Sequence, residues 1–191
     1  MELFGSKEMR CGATILAVDG NRTNLGVIGR RLAHFGYVTA LSDTGSDALG
    51  LIAGRGFDLV LLDMDLPGMT GLRVLQEIRG APATADLPVI MLTARSDPAA
   101  AVQALAGGAD DHVAKPFDFD VLAARIERVL ARHRRLTALQ RANQTLDARI
   151  ATRAVELGEM RSELAETRAD RLRLIASIQA LNDRMELLGS A

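Results

Sequence analysis

Apolar and polar positions divide the chain into two regimes. Up to about residue 131, short apolar runs alternate with stretches of helical spacing. In Asp58-Leu59-Val60-Leu61-Leu62-Asp63-Met64-Asp65-Leu66-Pro67-Gly68-Met69, an unbroken apolar run stops abruptly at an acid. Such a run predicts a strand buried on both faces, as in parallel sheets. The same pattern predicts strands at Thr14–Val18, Tyr37–Leu41, Pro88–Leu92 and His112–Ala114. Between them, Leu25, Ile28, Leu32 and Phe35 mark a helix over Asn24–Phe35 closed by Gly36. Ala48, Leu49 and Ile52 mark one over Thr44–Ala53, and Leu72, Leu75 and Ile78 one over Gly71–Arg79. Asp97-Pro98 opens a fourth helix as cap and first-turn proline, and Gly107-Gly108 ends it. A fifth begins at Phe119 with Leu122, Ile126 and Val129 inward. Five βα repeats joined by short loops and right-handed crossovers predict an α/β fold, a parallel sheet with helices on both faces.

From Leu136 the spacing alternates three and four residues without slipping. Leu136, Asn143, Ile150, Leu157, Leu164, Arg171, Ile178 and Met185 take heptad position a. Leu139, Leu146, Arg153, Met160, Thr167, Leu174, Leu181 and Leu188 take position d. Twelve of these sixteen are apolar, which predicts a coiled coil rather than a globular helix. Asn143 at an a position favours a parallel homodimer in fixed register over residues 136–188. Glu156 with Arg161, and Glu163 with Arg168, attract across a parallel pair. Arg153, Thr167 and Arg171 weaken the seam midway. Gly158 is the one candidate hinge for a helical hairpin, but the phase runs straight through it. Uninterrupted, the helix is on the order of 100 Å long. Extending the Leu122–Ile126–Val129 spacing through His133 makes Leu136 a d position, whereas the coil requires an a. The phase therefore jumps by three residues near His133, which locally overwinds a coil.

Composition sharpens this division. The six aromatic residues all lie at or before Phe119, and no proline follows Pro116. The formal net charge of −1 gives no global pull toward nucleic acid or membrane. One cysteine, Cys11, excludes an internal disulfide framework and suits a reducing compartment. Residues 1–10 lack the apolar stretch of a signal peptide, and no run approaches the roughly 20 apolar residues of a membrane span. A cytoplasmic chain is expected. Arg132-His133-Arg134-Arg135 reads as a solvated helix face, and no recognition helix or stacking aromatic follows it to bind nucleic acid. His34 and His133 have no evident partner in the sequence.

In a parallel sheet all strand C-termini share one edge. Asp19, Asp63, Thr93 and Lys115 each follow a predicted strand, so they converge. Lys115 is one of only two lysines against 21 arginines, a point charge where arginine's planar fork would not serve. A carboxylate can attack phosphorus and carry an acyl phosphate. A second carboxylate with backbone oxygens can hold Mg²⁺. A lysine and a hydroxyl can neutralise phosphoryl oxygens. Gly20, Gly26 and Gly29 do not have the spacing of a dinucleotide fingerprint, which argues against a cofactor-dependent enzyme.

Together, Asp19, Leu62-Asp63-Met64-Asp65-Leu66-Pro67 with Gly71, Leu92-Thr93-Ala94 and Lys115-Pro116-Phe117 resemble the receiver domain of two-component response regulators. The resemblance covers residues 11–132, leaving 1–10 as an N-terminal extension and 133–191 as a coiled coil for dimerisation and signal transmission. It implies a flavodoxin-like, doubly wound sheet of strand order 2-1-3-4-5. It implies that Asp63 accepts a phosphoryl group from a histidine kinase or phosphotransfer protein, with at most self-dephosphorylation as catalysis. Thr93 is then the switch hydroxyl and Lys115 the phosphate contact. Asp19, Asp63 and the backbone carbonyl of Asp65 are the metal ligands, and the Lys115–Pro116 bond is cis. His112 stands where the family has an aromatic switch residue. One position departs from the pattern. The family has two adjacent acids after the first strand, and here the pair is Asp19-Gly20. Losing that carboxylate implies weaker Mg²⁺ binding and slower or absent phosphorylation. A degenerate receiver acting as a constitutive dimeric scaffold is the alternative. The coil resembles linkers that lead to output domains, so either the chain is a piece of a longer regulator or the coil itself is the output and recruits a downstream protein.

Overall fold

A computed structural model describes residues 12–94 and 98–189, with Ala180 to Gly189 as backbone only. Cys11 and Asp97 lie outside the described residues. The chain divides into two compact units, Met1–Leu136 and Thr137–Ala191.

In the first unit, five strands alternate with helices: β1 Thr14–Val18, α1 Arg22–His34, β2 Val38–Ser42, α2 Gly45–Gly54, β3 Leu59–Asp63, α3 Gly71–Gly80, β4 Val89–Ala94, α4 Pro98–Ala106, β5 Asp111–Lys115 and α5, which starts at Phe119. The sheet is parallel throughout, in the order β2-β1-β3-β4-β5. The expected fold is therefore present, with boundaries moved by one or two residues. The second strand starts after Tyr37, and the fourth runs on through Thr93 instead of stopping before it.

The period-two alternation of each strand builds a core on both faces of the sheet. Ile15, Ala17, Leu59, Leu61, Ile90 and Leu92 point to the face covered by α1 and α5, against Leu25, Leu32, Leu122 and Ile126. Leu16, Val18, Val60, Leu62, Val89 and Met91 point to the other, against Ile52 of α2, Val74 and Ile78 of α3, and Ala104 of α4. Helix starts are capped as their residues dictate. The side chain of Asn21 accepts from the Thr23 and Asn24 N–H groups, and Thr44 and Thr70 do the same for α2 and α3. Gly36 and Gly108, at φ +86° and +95°, turn the chain after α1 and α4 in a conformation other residues resist.

Arginines tie the loops to this frame. The Arg79 guanidinium donates to the carbonyls of Gly108 (2.8 Å), Leu87 (2.7 Å) and Ala85 (3.1 Å) and pairs with Asp110 at 3.0 Å. Asp111, buried at the start of β5, pairs with Arg125 at 3.0 Å and Arg128 at 2.8 Å of α5. Burial alone pushes the Asp111 carboxyl up. Hydrogen bonds from Arg125 and the His112 N–H, with the charges of both arginines, outweigh that and hold it below the ordinary carboxylate range.

α5 spans Phe119–Gly189 and passes Gly158 without a break, so the hairpin does not form. In the second unit its residues from Ala138 to Gln179 are all exposed, and the described apolar a and d side chains are 50–66% exposed. His133 is half-buried over a cavity lined by Phe57, Asp58, Asp86 and Leu130, and His34 meets the Phe35 ring edge-on. Among the described residues, no helix is long and apolar enough to cross a membrane.

Two consequences are measurable. Asp111→Asn is expected to cost about 1–2 kcal/mol at neutral pH by urea titration, with the solvent access of both arginines discounted. Because the folded carboxyl titrates below its unfolded value, that difference is present above the ordinary carboxylate range and vanishes as the pH falls through the lowered value. At Gly71 an added Cβ would collide with the Asp63 carbonyl. Gly71→Ala is therefore expected to lower stability by about 3 kcal/mol, read as a shifted urea midpoint.

Candidate functional site

Parallel pairing sets the strand ends side by side. Val18 is in register with Leu62, so Asp19, the next residue, lies beside Asp63 at the end of β3. Asp63 is level with Leu92, and Thr93 with Ala114, which places Lys115 two strands away at the end of β5. Lys115 reaches over β4, whose last residue, Ala94, is small. Its Nζ lies 2.7 Å from Asp19 Oδ2 and 2.7 Å from Asp63 Oδ2. The Lys115–Pro116 peptide is cis, as the resemblance implied.

Asp19 is fully engaged by protein donors. The Asn21 N–H donates to its Oδ1 at 2.8 Å, and the Asn24 amide approaches both oxygens at 3.4 Å. Asp63 takes a hydrogen bond from the Asp65 N–H. Both acids are buried, Asp19 to 1% and Asp63 to 6% exposure. One ammonium between two buried carboxylates leaves a negative charge unbalanced. Burial pushes the Asp63 carboxyl above its ordinary value. Lys115 opposes this through a hydrogen bond and its charge, and Asp19 adds to it. For Lys115, burial favours the neutral amine, but the two carboxylates outweigh it and raise its pKa.

These groups face a cavity of about 470 Å³ lined by Asp19, Asn24, Asp63, Asp65 and Lys115 on its polar side. Val27, Ile28, Phe117 and Phe119 form its apolar wall. Thr93 is buried at 1% exposure within β4 and does not line the cavity. It lies inside the strand rather than after it because the apolar run of β4 continues its pairing with β5 through Ala94. His112 is half-buried near the start of β5, also off the cavity, and its Nδ1 has no hydrogen-bond partner among the described residues. Asn24, Val27 and Ile28 were not singled out as site residues in the sequence. Their i, i+3, i+4 spacing on the first helix after Asp19 was the available signal.

No group of three or more His, Cys, Asp or Glu side chains that could hold a metal occurs among the described residues. The donors present are the Asp19 and Asp63 carboxylates and the Asp65 carbonyl. That carbonyl lies 3.5 Å from where a Cβ on Gly20 would stand. This oxygen set fits a hard cation that keeps several of its waters, with the unbalanced negative charge in its favour.

The family model for the response regulator receiver domain matches residues 15–127. The chain belongs to this family. The chain is 35% identical over 158 residues to the response regulator MprA of Mycobacterium tuberculosis, covering 80% of this chain and 67% of that one. It is 41% identical over 118 residues to the transcriptional regulatory protein ZraR of Escherichia coli O157:H7, covering 61% of this chain and 26% of that protein. A putative response regulator from Chloroflexus aurantiacus superposes on it with a TM-score of 0.61 at 33% identity. That match covers 63% of this chain and 98% of the other. The chain thus spans about two thirds of one curated relative and about a quarter of the other.

Removing the bridging ammonium tests the electrostatics of the receiver's pocket. Lys115→Met is expected to cost about 2 kcal/mol at neutral pH, Lys115 being partly exposed. Asp63 already titrates above its unfolded value, so its ionised form weakens the fold and protonation relieves the cost. The deficit should therefore shrink as the pH falls through that raised value. A deficit constant with pH in urea titrations excludes this account.

Proposed function

We propose that this receiver accepts a phosphoryl group on Asp63 from a phosphohistidine of a histidine kinase or phosphotransfer protein, and passes the change to a dimeric coil. The observation that carries the reading is the Lys115 bridge between Asp19 and Asp63 at the open edge of the sheet. An Asp63 oxygen attacks phosphorus as the P–N bond to the donor imidazole breaks, giving an acyl phosphate and a free histidine. Asp19, Asp63 and the Asp65 carbonyl would hold Mg²⁺, which offsets charge on the phosphoryl oxygens. Lys115 exchanges its contact with Asp63 for one with the new phosphate, and the Thr93 hydroxyl turns toward another phosphate oxygen. His112 is the switch side chain that follows this turn. No reaction on a small-molecule substrate is assigned.

The working modules are the receiver at 11–132, the coil at 133–191 and the extension at 1–10. Twelve large apolar side chains from Leu136 to Ile178 are exposed in the single chain, a liability in water that a partner helix removes. A parallel homodimer over 136–188 supplies that helix, and a downstream protein reads the coil. The setting is cytoplasmic.

Gly20 favours a second reading, a pseudo-receiver serving as a constitutive dimeric scaffold. The missing carboxylate thins the metal site, and Asp19 is already occupied by Lys115, Asn21 and Asn24. Intact mass after Mg²⁺ and a small phosphodonor separates the two. One added phosphate, lost in Asp63→Asn, supports phosphotransfer, whereas no adduct at high Mg²⁺ supports the scaffold. Gly20→Asp is expected to raise Mg²⁺ affinity and adduct yield at least about tenfold, equivalent to about 1.4 kcal/mol. It also requires the Pro67 ring to move, since a Cβ at position 20 would stand 2.9 Å from its Cδ.

A further inference from the structure

The carboxylate of Asp65 takes no part in the contacts described so far, although its backbone does. The Asp65 N–H donates to Asp63, and the Asp65 carbonyl stands 3.5 Å from where a Cβ on Gly20 would lie. The side chain is therefore rooted at the rim of the cavity that Asp19, Asp63 and Lys115 also line. It is exposed, and among the described residues its carboxylate has no ion pair or hydrogen-bond partner.

Gly20 gives that position its weight. A Cβ at residue 20 would stand 2.9 Å from the Pro67 Cδ, so the Asp65–Pro67 segment borders the space that a side chain there would fill. The acid that position 20 lacks has a counterpart on the neighbouring loop. With Asp63 ionised, the cavity holds three carboxylates, Asp19, Asp63 and Asp65, against the one ammonium of Lys115. The two negative charges left over match a divalent cation.

The mode of contact follows from the spacing. Among the described residues, no three acidic side chains stand close enough to bind one ion directly. Mg²⁺ keeps several of its waters, whose protons point outward. A carboxylate one water layer away accepts those protons and still feels the charge of the ion. We propose that the Asp65 carboxylate holds Mg²⁺ through metal-bound water and so supplies the negative charge missing at Gly20. This rests on the metal site of the preceding reading and adds a residue to it.

Calorimetric titration of the full chain with Mg²⁺ at low salt tests the proposal. Asp65→Asn keeps the shape and the backbone carbonyl and removes only the charge. It is expected to weaken Mg²⁺ binding about fivefold, with the loss shrinking as salt rises. Asp86→Asn, in the loop before β4 at the other edge of the sheet, should leave the affinity unchanged. When Gly20→Asp is introduced with Pro67→Ala to make room, adding Asp65→Asn should cost about twofold or less, since the new carboxylate takes over. Electron–nuclear double resonance of bound Mn²⁺ should count the same number of metal-bound waters in the wild type and in Asp65→Asn. Unchanged affinity in Asp65→Asn overturns the inference and leaves the metal site standing. So does a loss no larger than that of Asp86→Asn. A full fivefold loss in the Gly20→Asp background overturns the exchange of roles, and a water gained on Mn²⁺ in Asp65→Asn overturns the water-borne contact. A wild-type chain with no affinity for Mg²⁺ removes the site and the inference together. Weakened binding in Asp65→Asn alongside a wild type that takes no phosphate upholds the inference and refutes phosphotransfer alone.

Discussion

One ammonium held between two buried carboxylates is the interaction on which the rest of the first unit depends. Lys115 touches Asp19 and Asp63 at 2.7 Å each, from a strand two places along the sheet from Asp63. That contact demands parallel strands, a fixed register and a short side chain on the strand between them. Any slip by one residue would turn Asp63 into the core and bury a charge without a partner. Two negative charges against one positive also leave the pocket short of a cation. Burial raises the Asp63 carboxyl, with Asp19 adding to it, while the two carboxylates together raise Lys115 against its own burial. The same imbalance that costs stability in the resting protein gives the pocket its appetite for positive charge.

Much of this was legible in the residue pattern because buried parallel strands are uninterrupted apolar runs with polar ends. Asp19, Asp63 and Lys115 could be grouped before any geometry was known, since the topology leaves strand ends only one edge to share. Thr93 was grouped with them but stays within β4, because hydrogen bonding to β5 continues to Ala94. A strand's last paired residue depends on its neighbour, which local sequence does not reveal. The apolar wall of Val27, Ile28 and Phe119 was hidden for a different reason. Apolar side chains at helical spacing look alike whether they fill a core or line a cavity, and only the position of α1 beside Asp19 separates the two. The Pro67 ring against Gly20 was equally invisible, being a contact between loops 47 residues apart in sequence.

The second unit poses the opposite problem. Its periodicity is plain, while among the described residues nothing in the chain covers its apolar a and d side chains. A lone helix with this much exposed apolar surface is not a stable end state in water, because propensity alone sustains helices only marginally. Heptad spacing continues through Gly158, and so does α5. Where the a/d seam weakens at Thr167 and Arg171, Ile175 lies exposed beside it and Leu172 on the side turned away. The apolar surface does not vanish there; it shifts around the helix.

β5 joins these themes. Its last residue, Lys115, belongs to the charged pocket, and its first, Asp111, is clamped by Arg125 and Arg128 of α5. The two are separated by about 13 Å of extended backbone. Extended chain transmits tension but scarcely stretches, so the strand works as a tie-rod. The spacing between the charged pocket and the first turns of α5 is thereby fixed, although the two lie at opposite ends of β5.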